Sequence, residues 1–243
     1  MTSSETIFHR YSCRSYDMTP LADETLAEIA AFFEHLQPLF PGMRAKLAFT
    51  TPDHVECIQP WKAPHYAVLY MDDHALNLEN VGFMGQMLDL YLQSHGIGSC
   101  WLGLGHLDNS PGSLPKTLDG LQFAIMMAFG RPKRLLQRAL CDFKRKPLHD
   151  VSDTVDEQLE TVRLAPSAVN SQPWYFIHDG DFLHLYRIRF DRIRARFYGK
   201  FNRCDIGIAL AHLAVTYPDS FTVIADVPHP DSKGHDYVIT CRI

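Results

Sequence analysis

A chain of 243 residues, 46% of them apolar, can bury a substantial core as one large domain or two small ones. Its formal net charge of −5 argues against a protein whose main task is coating a polyanion. The most hydrophobic stretch, Val81 to Leu92, is interrupted by Gln86 and Asp89 and is too short to span a bilayer; with no apolar leader and six widely spaced cysteines lacking a CxxC pair, a reducing cytoplasm is expected.

In chain order, Arg10-Tyr11-Ser12-Cys13-Arg14 sets two guanidinium groups around a serine. Guanidinium donors match phosphate oxygens in pairs, although solvated side chains explain the same residues. Asp23-Glu24-Thr25-Leu26 then opens a segment with Leu26, Ile29, Ala30, Phe33 and Leu36 at helical spacing, which predicts an amphipathic helix stopped by Pro38 and Pro41-Gly42. His65 to Tyr70 reads as a buried strand. From about His74 to His95 the pattern predicts a helix that is apolar nearly all round and therefore central. Gly96 suits the left-handed residue beyond its end, and Ser99 to Leu104 reads as the next strand. Leu121 to Phe129 is a continuous apolar run, expected as a central strand ended by Gly130-Arg131-Pro132.

After the basic phrase Lys144-Arg145-Lys146-Pro147-Leu148 the order repeats. Asp156-Glu157-Gln158-Leu159 opens a second helix, and Trp174 to Ile177 and Phe182 to Ile188 supply strands. Asp205-Ile206-Gly207-Ile208-Ala209-Leu210-Ala211-His212-Leu213 matches Asn80-Val81-Gly82-Phe83-Met84-Gly85-Gln86-Met87-Leu88 at a shift of 125 residues, with Gly82 over Gly207. Small residues at matched places suggest two closely packed helices. Phe221 to Val227 parallels Ser99 to Leu104, and Tyr237 to Ile243 parallels Leu121 to Phe129. The chain is thus expected to hold two similar halves, residues 1–140 and 141–243, intertwined as one unit. Between Arg187 and Arg203 seven residues are Arg or Lys, and the alternation at Arg187, Arg189, Arg192, Arg194 and Arg196 suits a strand with a charged face.

The phrase Ala165-Pro166-Ser167-Ala168-Val169-Asn170-Ser171-Gln172-Pro173-Trp174 carries the strongest signal. A helix end, a turn and a strand begun by proline explain each residue but not their combination. Together with Arg10 to Arg14 it resembles the nitroreductase family. The resemblance implies an α+β fold of mixed, mainly antiparallel sheets packed with helices, and FMN as cofactor. It places Arg10, Tyr11, Ser12 and Arg14 on the phosphate, ribityl chain and pyrimidine edge, and Pro166, Ser167, Ala168 and Asn170 against the flavin from the opposite side. It implies that Trp101, Leu102, Gly103 and Leu104 border the ring, where a glycine lets the backbone approach, and that Lys144 or Arg145 reaches the phosphate. Ordinary family members carry the Arg-x-Ser-x-Arg and Ala-Pro-Ser phrases around one helix; here about 155 residues separate them, and Leu36-Gln37-Pro38-Leu39-Phe40-Pro41-Gly42 stands where the second would be. This is similar to single-chain nitroreductases whose two degenerate half-copies form an internal pseudo-dimer, with one complete FMN site and one decayed one.

The implied activity is hydride transfer from NAD(P)H through FMN to a nitroaromatic, quinone or flavin-like acceptor, with no side chain singled out as acid or base. A non-redox FMN storage or sensing protein is the alternative, and an anion or nucleic-acid binder using Arg187 to Arg203 a more distant one. No metal is expected: His229, Asp231, His235 and Asp236 match no zinc spacing. Cys100 has no identifiable base beside it, and neither a Walker loop nor a Gly-x-Gly-x-x-Gly turn is present.

Overall fold

The computed structural model describes residues 1–134 and 138–243, with the backbone alone for 192–198. Helix α1 spans Asp23–His35, followed by strands β1 (Ala45–Thr50) and β2 (His65–Met71), helix α2 (Asn77–Ser94), and strands β3 (Gly98–Leu102) and β4 (Leu121–Gly130). The second part contains the one-turn helix α3 (Glu160–Arg163), strands β5 (Trp174–Asp179) and β6 (Phe182–Ile188), the long helix α4 (Arg192–Thr216), and strands β7 (Thr222–Ile224) and β8 (His235–Arg242).

The first sheet has the order β1-β2-β4-β3 and the second the order β5-β6-β8-β7, every pair antiparallel. In both, the long helix follows the second strand in sequence. The strands β2 and β4 read as unbroken apolar runs because both faces of their sheet are covered. Ala67, Leu69, Ile125, Met127 and Phe129 join the main core with α2, while Tyr66, Val68, Tyr70, Met126 and Ala128 form a second core with Tyr16, Leu102 and Leu107. This is the period of two expected of strands.

Helices α2 and α4 cross at their glycines. A Cβ on Gly82 would lie 2.0 Å from the Cys204 carbonyl oxygen, and one on Gly207 would lie 1.8 Å from that of Glu79. Both distances are far inside van der Waals contact, so the crossing requires glycine on each side. The contact is reciprocal at the shift of 125 residues: position 82 meets 204, and 207 meets 79.

Several sequence expectations are corrected. Arg192, Arg194 and Arg196 lie in α4, not in a strand. Five alternating residues fit either period, and Arg and Ala both favour helix. The helix expected from Asp156 is a single turn of 3-10 helix, Glu157–Leu159, capped by Asp156 on the Gln158 N–H at 2.8 Å and continued only by α3. Pro166 disfavours helical backbone at the residue before it. The strand expected to reach Leu104 ends at Leu102, where Gly105 N–H turns back to the Leu102 carbonyl at 3.2 Å. Strand β1 was not foreseen; it is an edge strand and five of its six residues are partly or largely exposed.

Candidate functional site

The N-terminal phrase runs alongside β3. Cys13 N–H donates to the Ser99 carbonyl at 2.9 Å, and Tyr11 N–H to Gln93 Oε1 at 2.9 Å. This carries Ser12 and Arg14 to the rim of a cavity of about 260 Å³. Trp101, Gly103 and Leu104 line it from the end of β3, and Pro166, Ser167 and Ala168 from the far side. Two phrases at opposite ends of the sequence therefore share one cleft. The sequence did not single out Gln59, Phe201 or Asp205, which also line it, as does Cys100, considered there only as a nucleophile without a base.

The remaining candidates stand behind these walls. Leu102 is 3% exposed in the second core, so only its backbone can serve the cleft. Arg10 is buried and pairs through Nε with Asp89 Oδ2 at 2.8 Å. Asp89 also accepts from Gln86 Nε2, Gln93 Nε2 and Ser99 Oγ at 2.9, 3.1 and 2.6 Å. This buried network ties the first phrase to α2 and leaves Arg10 Nη2 without a partner among the described residues. Arg145 donates from Nη1 to Asn170 Oδ1 at 2.6 Å and from Nη2 to the Leu164 carbonyl at 3.3 Å, while its buried Nε has no partner among the described residues. Asn170 Nδ2 in turn donates to the carbonyl of Lys144, whose side chain is exposed, at 2.7 Å. Burial, and then the guanidinium groups of Arg10, Arg138 and Arg163, push Arg145 down to about 10. The Arg138 and Arg145 guanidinium carbons lie 4.8 and 5.6 Å from the Phe143 ring centroid. Neighbouring cations with unpaired buried donors form a concentration of positive charge suited to an oxyanion.

The Ala165 to Trp174 phrase folds as a strained turn. Val169, Asn170 and Gln172 have φ of 47°, 58° and 46°. Left-handed backbone at a β-branched residue costs on the order of 1–3 kcal/mol and persists only where the surroundings hold it. Here Ser167 Oγ accepts from Gln172 N–H at 2.9 Å, Gln172 Oε1 accepts from Lys146 N–H at 2.7 Å, and Asp205 Oδ1 accepts from Ala168 N–H at 3.0 Å. The turn displays Val169, 75% exposed, at the cavity mouth near Leu104, 50% exposed, which gives the cleft an apolar rim.

Other side chains shape the walls. A Cβ on Gly103 would sit 2.9 Å from the Phe201 ring, so Gly103 admits that ring to the cleft. The Trp101 indole packs on Gly85 and donates from Nε1 to Gln86 Oε1 at 3.1 Å. Burial pushes the Cys100 thiol up to about 11, which leaves it unreactive near neutrality. Burial likewise raises Asp205 to about 8, against the opposing effect of the Ala168 amide and Ser171 hydroxyl.

A family model described as "Putative TM nitroreductase" matches residues 2–217. The fold is similar to the crystal structure of a "putative nitroreductase" from Thermotoga maritima, at 20% identity and a TM-score of 0.65, covering 100% of this chain and 94% of that one. A nitroreductase family protein from Clostridium difficile is 15% identical over 65% of this chain and 99% of its own, with a TM-score of 0.48. A nitroreductase with bound FMN from Desulfitobacterium hafniense is 16% identical over 56% of this chain and 93% of its own, with a TM-score of 0.43. A search of curated proteins finds no match. Among the described residues no helix is long and apolar enough to cross a membrane. With a family match across most of its length and the nitroreductase fold in both sheets, the chain belongs to this nitroreductase family.

Proposed function

We propose that this oxidoreductase-family chain binds FMN in the cleft between Arg14 and Ala168 and uses NAD(P)H to reduce a nitroaromatic, quinone or flavin-like acceptor there. The observation that carries the reading is the convergence of Ser12, Arg14, Gly103, Pro166, Ser167 and Ala168 on one cavity; Arg10 and Arg145 do not line it, but each keeps a buried donor without a partner among the described residues. The donor set fits the cofactor. Arg14 and Ser12 would hold its polar edge, and Arg145, with Lys144 and Arg10 nearby, would face its phosphate. Gly103 and the Pro166 to Asn170 turn would flank its ring. FMN, when bound, supplies the hydride chemistry. The protein's part is to fix orientation, to exclude water with Leu104, Val169 and Phe201, and to present positive charge.

We also propose that residues 1–140 and 141–243 are two halves of an internal pseudo-dimer that works as a monomer with one cofactor site. The shared strand order and the reciprocal glycine crossing support this. A cytoplasmic location fits the six unpaired cysteines.

The deciding experiment records flavin absorbance of the protein with FMN and then adds NADPH or NADH without oxygen. Bleaching supports the enzyme; bound but unbleached flavin supports a storage or sensing protein instead, and absence of binding sinks the reading. Asn170→Ala should weaken FMN in a monomeric sample, since Asn170 is held by Arg145. If FMN binds only when two chains associate, the single-chain site is wrong.

A further inference from the structure

Asp205 and Asn80 occupy matched places on the two crossing helices, at the shift of 125 residues. Each is almost fully buried, at 3% and 1% exposure, and each reaches out of its helix to the backbone of a loop that precedes its sheet's central strands. Asn80 Oδ1 accepts from Leu39 N–H at 2.7 Å, and Asp205 Oδ1 accepts from Ala168 N–H at 3.0 Å. The same contact is thus made twice. On the first helix it secures an apolar loop with a neutral amide. On the second it secures the strained turn that walls the cleft, and the anchoring group can ionise.

We propose that Asp205 is a positioning residue that fixes the Ala168 to Ser171 turn against the cleft, and that the protonation of its carboxyl changes how firmly the turn is held. The chemistry is local. As a carboxylate, Asp205 accepts from the Ala168 N–H and, through Oδ2, from the Ser171 hydroxyl, which lies 3.5 Å away. As an acid it must carry a proton on one oxygen, so it keeps one acceptor and turns the other into a donor. Charge-assisted bonds are about twice as strong as neutral ones, so ionisation tightens the turn. An amide at this position, as at Asn80, cannot make that change.

The groups around Asp205 are Arg14 and Cys100 across the cavity, Ser171 on the turn, Lys200 and Cys204 on α4, and the Glu79–Arg203 ion pair at the helix crossing. Burial holds the Cys100 and Cys204 thiols at about 11 and about 12. A transition near pH 8 therefore belongs to Asp205 rather than to either thiol.

The proposal deepens the flavin reading and rests on it only for its effect on the cofactor, so the first measurement uses protein without FMN. In isotope-labelled chain, the Ala168 amide and the Asp205 carboxyl carbon are followed by NMR from pH 6 to pH 10. Both should shift with one shared midpoint near pH 8, the Leu39 amide should not follow, and the Ala168 transition should vanish in Asp205→Asn. An Ala168 amide that ignores the carboxyl titration overturns the proposal, as does a transition that survives the substitution. Should Asp205→Asn fail to fold, Asn80→Asp supplies the converse test, giving Leu39 a transition that it lacks in the parent. In the second measurement the FMN dissociation constant of the parent falls by about threefold from pH 6.5 to pH 9 relative to Asp205→Asn. An equal pH dependence in the two proteins overturns the link to the cofactor. Failure of both to bind FMN sinks the flavin reading while the amide titration still decides the role of Asp205.

Discussion

The two central helices share a crossing but not a composition. Helix α2 carries Glu79, Gln86 and Asp89 among its buried residues, and the matching positions of α4 are Cys204, Ala211 and Ala214. Conversely, α4 buries Asp205 and His212 where α2 has Asn80 and Met87. The backbone frame is common to both regions, and the polar groups are divided between them. The Asp89 network secures the N-terminal phrase from one side of the cleft, while Asp205 secures the Ala165 to Trp174 turn from the other. Each wall is held by a different helix.

The equivalence of the crossing is the easiest part to break. Gly82→Val and Gly207→Val should both abolish cooperative thermal unfolding, because each side chain would enter a backbone carbonyl of the facing helix, a loss of more than about 5 kcal/mol. If one is tolerated while the other is not, the reciprocity is only apparent. Next in size is Asp89→Ala, which leaves the buried Arg10 charge uncompensated and should cost about 3–5 kcal/mol in denaturant titrations. Adding Arg10→Met should restore about half of that loss, since an apolar replacement of both partners removes the unpaired charge.

His212 sharpens the contrast through pH. Its Nδ1 lies 2.7 Å from the Thr161 carbonyl, and burial pushes its pKa down to about 3. The unfolded chain takes up that proton below about pH 6.5, where the folded chain does not. Stability from this group is therefore full above pH 6.5 and is lost as pH falls toward 3, by about 1.4 kcal/mol per unit. His212→Met, the residue of the other helix, should flatten that acid limb.

Asp205 has the opposite sign. With its folded pKa raised to about 8, the group favours the fold below the pKa of the unfolded carboxyl, and this advantage is lost as pH rises toward 8. Asp205→Asn should therefore gain stability relative to the parent as pH rises from 4 to 8, by about 1.4 kcal/mol per unit. The smallest expected effect is on binding: Arg14→Ala should weaken FMN about tenfold, measured by quenching of flavin fluorescence.

Much of the frame was legible because burial writes itself into period. The apolar runs of β2 and β4 and the all-round apolar pattern of α2 could be read directly, and the shift of 125 residues identified the glycines that meet. Edge elements left no such mark. Ala45-Lys46-Leu47-Ala48-Phe49-Thr50 lacks both β-branched density and clean alternation, and its strand depends on pairing with β2 from Ala45 opposite Met71 to Thr50 opposite Tyr66. In the cleft, phrases with unusual composition could be found, whereas single residues that act across long sequence distances could not. Arg10 was expected at a phosphate, and the partner that the structure gives it, Asp89, is an acid in a largely apolar helix, 79 residues away in sequence. Asp205 was overlooked for the same reason, although its alignment over Asn80 was a usable signal.

The reciprocal crossing of Gly82 and Gly207 also bears on how such a molecule can change over time. Where two copies of one gene product meet about an axis, each substitution enters on both sides at once and must be tolerated twice. Within one chain the two sides mutate separately. Arg203 meets Glu79 across the crossing in a close ion pair, at 2.7 Å, and the matched positions Leu78 and Cys204 carry no charge to form its counterpart. The two helices share the backbone contact that demands glycine on both sides while the side chains around it differ, so a substitution in one wall leaves the other unaltered.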